Sequence, residues 1–314
     1  MNNPFGKINN SNFILIIFII CSAATYTIAT TRMSNKTNPR QSETKSASSK
    51  IFTARIEHMG FNVSDPVAVA SWYQKNLGMK LIRKGKAPLF VTFISDPGNN
   101  MMMEFYNKQK FPKLDFSKIN YMSYHLAFMV DSISIIEKKL INAGATLAEE
   151  ISKTPTGDKV LMLRDPWGMP LQLVERAEPM LKFTNIRPEH FATNTPDARA
   201  KANWYAKNLG MKIIRQGGPP DFGTFVSDSN KDMMLELYQK KDFPMINYKK
   251  ISPVSIHLAF RVSDITDIKG KLIAAGAELV NDISESASGD KVLVMRDPWG
   301  FPIQFIQRKV PVIK

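Results

Sequence analysis

The four histidines of this 314-residue chain form two pairs at one spacing. His190 follows His58, and His257 follows His125, by the same 132 positions (190 − 58 and 257 − 125). Glu104 and Glu236 keep that offset, as do Gln172 and Gln304. The chain thus holds the set His58, Glu104, His125 and Gln172, and then its copy His190, Glu236, His257 and Gln304. Imidazole, carboxylate and amide groups together make a candidate metal site. Glu104 lies among Met102, Met103 and Phe105. A carboxylate in so apolar a stretch needs a cation or a hydrogen-bonding partner, because burying it alone is costly.

The elements that position these residues repeat in step. EHMGFNVSDPVAVASWYQKNLGMKLIRKG (57–85) matches EHFATNTPDARAKANWYAKNLGMKIIRQG (189–217), and SYHLAFMVDSI (123–133) matches SIHLAFRVSDI (255–265). GDKVLMLRDPWGMPLQLVER (157–176) matches GDKVLVMRDPWGFPIQFIQR (289–308). A repeat this long is a tandem domain rather than a solenoid unit of roughly 20–50 residues. Within it, residues 56–63 alternate as a strand, and Asp65-Pro66 opens a helix over 67–76 that Gly78 stops. Strands follow at 79–83, 89–94 and 101–106. The order β-α-β-β-β then recurs, with a strand at 125–130, a helix at 133–143 and strands at 146–151, 159–163 and 171–175. The fold class is α+β, with four βαβββ modules in two domains, 51–178 and 183–309. Each candidate ligand lies on the first or last strand of a module, where side chains on one face can converge.

Composition narrows the function. The net charge is +14, of which +5 falls in residues 1–50 (Lys7, Arg32, Lys36, Arg40, Lys45 and Lys50 against Glu43). No basic run with interleaved aromatics follows, so no nucleic-acid partner is expected. Cys21 is the only cysteine. The body therefore has no thiolate ligand, disulfide or cysteine nucleophile. Phe13–Ile20 is a continuous apolar run, and Ser22-Ala23-Ala24 offers a small-residue cleavage pattern. Residues 1–30 read as a signal peptide or membrane anchor, and the polar stretch 31–50 as a disordered linker. Export to a periplasmic or extracellular space, or attachment to a membrane, is the expectation. Arg32, Lys36 and Arg40 after the run would instead favour an inward-facing body on an uncleaved anchor.

Paired βαβββ modules, WYQKNLGMK and WYAKNLGMK after the first helix, HLAF opening the second module and DPWG before the last strand resemble the vicinal oxygen chelate superfamily. That superfamily includes glyoxalase I, methylmalonyl-CoA epimerase, extradiol dioxygenases and fosfomycin-resistance proteins. The resemblance covers residues 51–308 and implies a divalent metal at each site, one of Zn²⁺, Ni²⁺, Co²⁺, Mn²⁺ or Fe²⁺. It implies the ligands His58, Glu104, His125 and Gln172, with His190, Glu236, His257 and Gln304 in the second domain. Relatives also build the site across domains or subunits. That would give His58 and Glu104 with His257 and Gln304, and His190 and Glu236 with His125 and Gln172. A monomer or a homodimer could supply either arrangement.

Glyoxalase I-like enzymes place a glutamate base on the last strand, where this chain has Gln172 and Gln304. An amide can bind metal but cannot take a proton at neutral pH. The implied bases are therefore Glu104 and Glu236. The expected activity is that of a glyoxalase- or epimerase-type lyase or isomerase on a small-molecule substrate. The alternatives are an Fe²⁺ extradiol-type dioxygenase and a non-catalytic small-molecule-binding or resistance protein. Tyr106 and Tyr238, two positions after the glutamates, could support the ligands or only pack. Arg83 and Arg215 could meet an anionic substrate or sit solvated at strand ends. Met101–Met103, Met233 and Met234 read as core, with a pocket lining as the alternative.

Overall fold

The computed structural model describes residues 54–182 and 186–313. The N-terminal segment and linker read at 1–50, with Cys21, lie outside the described residues. The first module runs β1 (Arg55–Asn62), α1 (Pro66–Leu77), β2 (Lys80–Lys84), β3 (Thr92–Ser95) and β4 (Met102–Tyr106). The second runs β5 (Tyr124–Met129), α2 (Ile133–Asn142), β6 (Thr146–Lys153), β7 (Lys159–Arg164) and β8 (Pro170–Glu175). The third runs β9 (Arg187–Asn194), α3 (Ala198–Leu209), β10 (Lys212–Gln216), β11 (Thr224–Ser227) and β12 (Met234–Tyr238). The fourth runs β13 (Ile256–Arg261), α4 (Ile265–Ala274), β14 (Glu278–Glu285), β15 (Lys291–Arg296) and β16 (Pro302–Gln307). The βαβββ order expected from the repeat is present four times.

Local chemistry sets both ends of α1. The Asp65 carboxylate accepts from the Val67 and Ala68 amides, Pro66 occupies the first turn, and Gly78 takes the left-handed C-cap with φ 69°. The strand expected at 89–94 begins three residues later. Phe90 there has φ 48°, which a strand cannot hold, and the chain turns before Thr92.

The modules pair across the repeats. One eight-stranded sheet has the order β14-β15-β16-β13-β1-β4-β3-β2, joining the fourth module to the first. The other has the order β10-β11-β12-β9-β5-β8-β7-β6, joining the third to the second. The seams are the antiparallel pairs β1–β13 and β5–β9. Strand alternation then sorts the side chains. Phe61, Phe105, Phe260 and Phe305 of one sheet and Phe128 and Phe191 of the other enter a single apolar core. The polar residues at the intervening positions face the opposite way.

The DPWG segments are structural turns. Asp165 accepts from the Trp167 and Met169 amides and from the Tyr73 hydroxyl. Asp297 does the same for Trp299, Phe301 and Tyr205. Burial pushes the Asp165 carboxyl up to about 6 from an ordinary 3.8, despite those bonds. The folded chain therefore keeps a proton that the unfolded chain releases first. Its contribution to stability is full below 3.8 and is lost as pH rises through 6. Asp165→Asn keeps the turn acceptor without the charge. Relative to that variant, wild-type stability in urea unfolding should fall by about 3 kcal/mol between roughly pH 4 and pH 7. A pH-independent difference would refute this account of the turn.

Candidate metal centres

The four central strands of each sheet carry one candidate ligand apiece. In the first sheet these are Gln304 on β16, His257 on β13, His58 on β1 and Glu104 on β4. Register puts them on one face. Gln304, Ala259, His58 and Met102 form one lateral row, and His257, Gly60 and Glu104 form the next. In the second sheet Gln172, Ala127, His190 and Met234 form one row, and His125, Ala192 and Glu236 the other. The crossed sets are therefore the ones assembled. The same-domain sets, with His125 and Gln172 beside His58 or His257 and Gln304 beside His190, are not brought together, because their strands belong to different sheets.

Small residues leave the rows open. A Cβ on Gly60 would lie 2.1 Å from Cε1 of His257, so that imidazole occupies the space above the glycine. The second sheet has Ala192 there, and Ala127 and Ala259 hold the other gaps. His58 Nε2 lies 3.3 Å from Glu104 Oε2 and 3.3 Å from His257 Nε2, and His257 Nε2 is 3.8 Å from the same oxygen. In the second site His190 Nε2 and His125 Nε2 are 3.2 and 3.6 Å from Glu236 Oε2. Each triad has donor atoms within 4.8 Å of one another.

These residues fit a divalent ion. Three donors of two types converge in each site, and the buried Nε2 atoms of His125 and His190 have no well-formed hydrogen bond. Burial alone would push the His58 imidazole down, but hydrogen bonds to Glu104 and Glu57 raise it above its ordinary value. His257 is pushed down to about 4 by burial and by the charge of His58. Burial would raise the Glu104 carboxyl, but its hydrogen bond to His58 and the imidazole charges hold it low. Glu236 is lowered likewise by His125 and His190.

The first site opens into a cavity of about 640 Å³ that reaches His58, Glu104, His257 and Gln304. Phe93 packs edge-on to His58 at 5.6 Å and lines the wall, while Arg83 and Lys108 stand at the mouth. Comparison with known proteins accords with this layout. Residues 55–173 match the glyoxalase/bleomycin resistance protein/dioxygenase superfamily, and 190–306 match the glyoxalase-like domain. The chain belongs to the vicinal oxygen chelate superfamily. It is a tandem two-domain member. A lactoylglutathione lyase of Arabidopsis thaliana is 21% identical over 272 residues, spanning 81% of this chain and 92% of that protein. Glyoxalase I of Zea mays has the same fold, with a TM-score of 0.67 at 20% identity over 81% of this chain and 92% of that one.

In this vicinal oxygen chelate protein two further carboxylates support the histidines. Glu57 and Glu189 immediately precede His58 and His190 and are 3% and 0% exposed. A strand neighbour would normally face away. Here the register slips at both seams, so that Glu57 and Glu189 are each the extra residue of a bulge. His58 Nδ1 lies 3.2 Å from Glu57, and His190 Nδ1 2.8 Å from Glu189. Each glutamate is gripped by an arginine, Arg308 or Arg176, which also pairs with Asp290 or Asp158. Such carboxylate–imidazole contacts fix the ring and its tautomer. Sequence reasoning missed them, although Glu57 and Glu189 keep the 132 offset in both EH pairs. A bulge has no signature in alternation.

Tyr106 touches the site. Its hydroxyl donates to the Val254 carbonyl and lies 3.3 Å from His257 Nδ1. Tyr238, its counterpart, is buried beside His125 with ring centres 6.4 Å apart. Met101–Met103, Met233 and Met234 are fully buried core residues. Arg83 lies over the Phe93 ring, and Arg215 stands 5.8 Å from the Phe225 ring and reaches Asp158 at 3.5 Å. Arg308→Met would leave Glu57 buried without its cation. Urea unfolding should show a loss of about 3 kcal/mol or more. Arg176→Met should behave alike through Glu189, and losses below about 1 kcal/mol in both would show that the network does not hold the sheet centres.

Proposed function

We propose that this chain is a metal-dependent enzyme of glyoxalase or epimerase type, moving a proton next to a metal-bound oxygen of a small oxygenated substrate. The observation that carries this reading is one carboxylate set between two imidazole Nε2 atoms on the floor of an open cavity. His58, Glu104 and His257, with Gln304, would hold one ion. His190, Glu236 and His125, with Gln172, would hold the other. When bound, the ion polarises a carbonyl or enediolate oxygen and acidifies the neighbouring C–H.

The chain's own groups do the rest. Glu104, kept ionised by its imidazole neighbours, offers a carboxylate oxygen to the departing proton. Gln304 can orient an oxygen but cannot take the proton. The Glu57 and Glu189 contacts fix which imidazole nitrogen faces the cavity. Phe93, Val292 and Val294 give the cavity an apolar patch against which a substrate's hydrocarbon part would pack. A volume of 640 Å³ suits a small-molecule substrate, for which about 300–1,000 Å³ is usual.

Metal content tests the ligand assignment. Elemental analysis should find two ions per chain, one for each convergent triad. His58→Ala and His257→Ala should remove the same ion, so that the double variant keeps one. His58→Ala combined with His190→Ala should keep none. A chain that retains no divalent ion after loading would end the metal reading.

Activity tests the reaction. Protein stripped and reloaded with each candidate ion should turn over hemithioacetals or epimerise α-chiral acyl thioesters. Glu104→Gln with Glu236→Gln should lower kcat by about 10²-fold or more. Absence of turnover with every ion would overturn the proposal. Oxygen uptake with catechols under iron loading would point to the dioxygenase. Tight ligand binding that both glutamine substitutions leave unchanged would point to a binder.

A further inference from the structure

Outside the two histidine centres, one pocket holds a buried cation that the first repeat lacks. It measures about 230 Å³, lies beside the first turn of α3, and its lining includes Thr195, Lys201, Met245, Tyr248, Lys249 and Trp299. Lys201 is 2% exposed. Its Nζ lies 3.1 Å from Asp297 Oδ2, and 5.2 and 5.9 Å from the ring centres of Phe301 and Trp299.

The duplication provides an internal control. A shift of 132 positions places Val69 where Lys201 stands, Val63 where Thr195 stands, Phe61 where Thr193 stands and Phe116 where Tyr248 stands. In the first repeat Phe61, Val69 and Phe116 are buried core. Four apolar residues have thus been exchanged for polar ones around a single point. Their polar groups are only partly engaged with one another. Thr193 and Tyr248 share a hydrogen bond of 3.1 Å, but the buried Thr195 Oγ1 has no partner among the described residues.

The turn does not require the lysine. Asp165 makes the same three bonds as Asp297, to two amides and a tyrosine hydroxyl, with Val69 in place of the cation. A buried ammonium in the first turn of a helix also faces the positive end of the helix dipole, which disfavours it. An anion in the pocket would offset both costs.

We propose that this pocket binds a small monocarboxylate, with its oxygens on Lys201 Nζ and Thr195 Oγ1 and its hydrocarbon part on the Trp299 ring. An ammonium has three donors, and Asp297 engages one, so two remain for a ligand. The threonine hydroxyl adds a further donor. Asp297 offsets part of the Lys201 charge, and the other lining cation, Lys249, is exposed, so the buried end of the pocket suits a single negative charge. A volume of about 230 Å³ has room for a small monocarboxylate. Met245, half exposed, forms the rim. Binding is reversible and involves no bond exchange.

Propionate is the probe, titrated by calorimetry into the full chain as purified. The expected result is a Kd near the millimolar range. Lys201→Val, the residue the first repeat holds at this place, should weaken binding by about tenfold or more, and Thr195→Val by a few-fold. Propionamide, which has the same shape without the charge, should not compete. Lys201→Met keeps the stem and is read in its place if the valine variant loses its near-ultraviolet dichroism. No binding by wild type up to about 50 mM would overturn the proposal. So would equal binding by the Lys201 variants, which would place propionate at a histidine centre instead, or stronger competition from inorganic phosphate.

Discussion

The antiparallel seam between β1 and β13, with its copy between β5 and β9, is the contact on which everything else depends. Each seam brings a first strand of one repeat against a first strand of the other. Both histidines of each centre therefore lie on neighbouring strands. The parallel partners β4 and β16, or β12 and β8, then add the carboxylate and the amide. Without the seams each module would hold half a ligand set.

The bulge within each seam adds a second consequence. It turns Glu57 and Glu189 toward the imidazoles that follow them, instead of into the apolar core where alternation would send them. A buried carboxylate is tolerable there because Arg308 and Arg176 meet it. Burial would lift the Glu57 carboxyl, but its bonds to His58 and Arg308 hold it at about 2. A line of paired side chains, Asp290–Arg308–Glu57–His58, thus runs from a turn to the centre of the sheet, and Asp158–Arg176–Glu189–His190 repeats it. Gly60 and Ala259, or Ala192 and Ala127, leave the space above the sheet into which the imidazoles lean.

The repeats are not equivalent beyond these centres. Arg83 lies 4.5 Å over the Phe93 ring of the first cavity, while Arg215 stands farther, 5.8 Å, from the Phe225 ring and also reaches Asp158, and Lys240 pairs with Asp221 at 2.6 Å. Lys201, Thr195 and Tyr248 replace apolar residues on the far side of the second repeat. Duplication kept the ligand types and the arginine–glutamate lines while the surroundings diverged.

Much of this was legible in the chain itself. The 132-residue offset identified the repeat, the four modules and the candidate ligands, because alternation and turn residues act over short range. The apolar setting of Glu104 announced a partner, since an isolated buried carboxylate is unstable. The start of β3 was misread because the left-handed backbone at Phe90 leaves no mark on hydropathy. The choice between same-domain and crossed sites belonged to the tertiary structure alone. Both arrangements use identical strands with identical faces, and only the packing of β1 on β13 rather than on β5 separates them. The roles of Glu57 and Glu189 were likewise decided there, because a bulge arises from the match between two distant strands and not from either sequence taken singly.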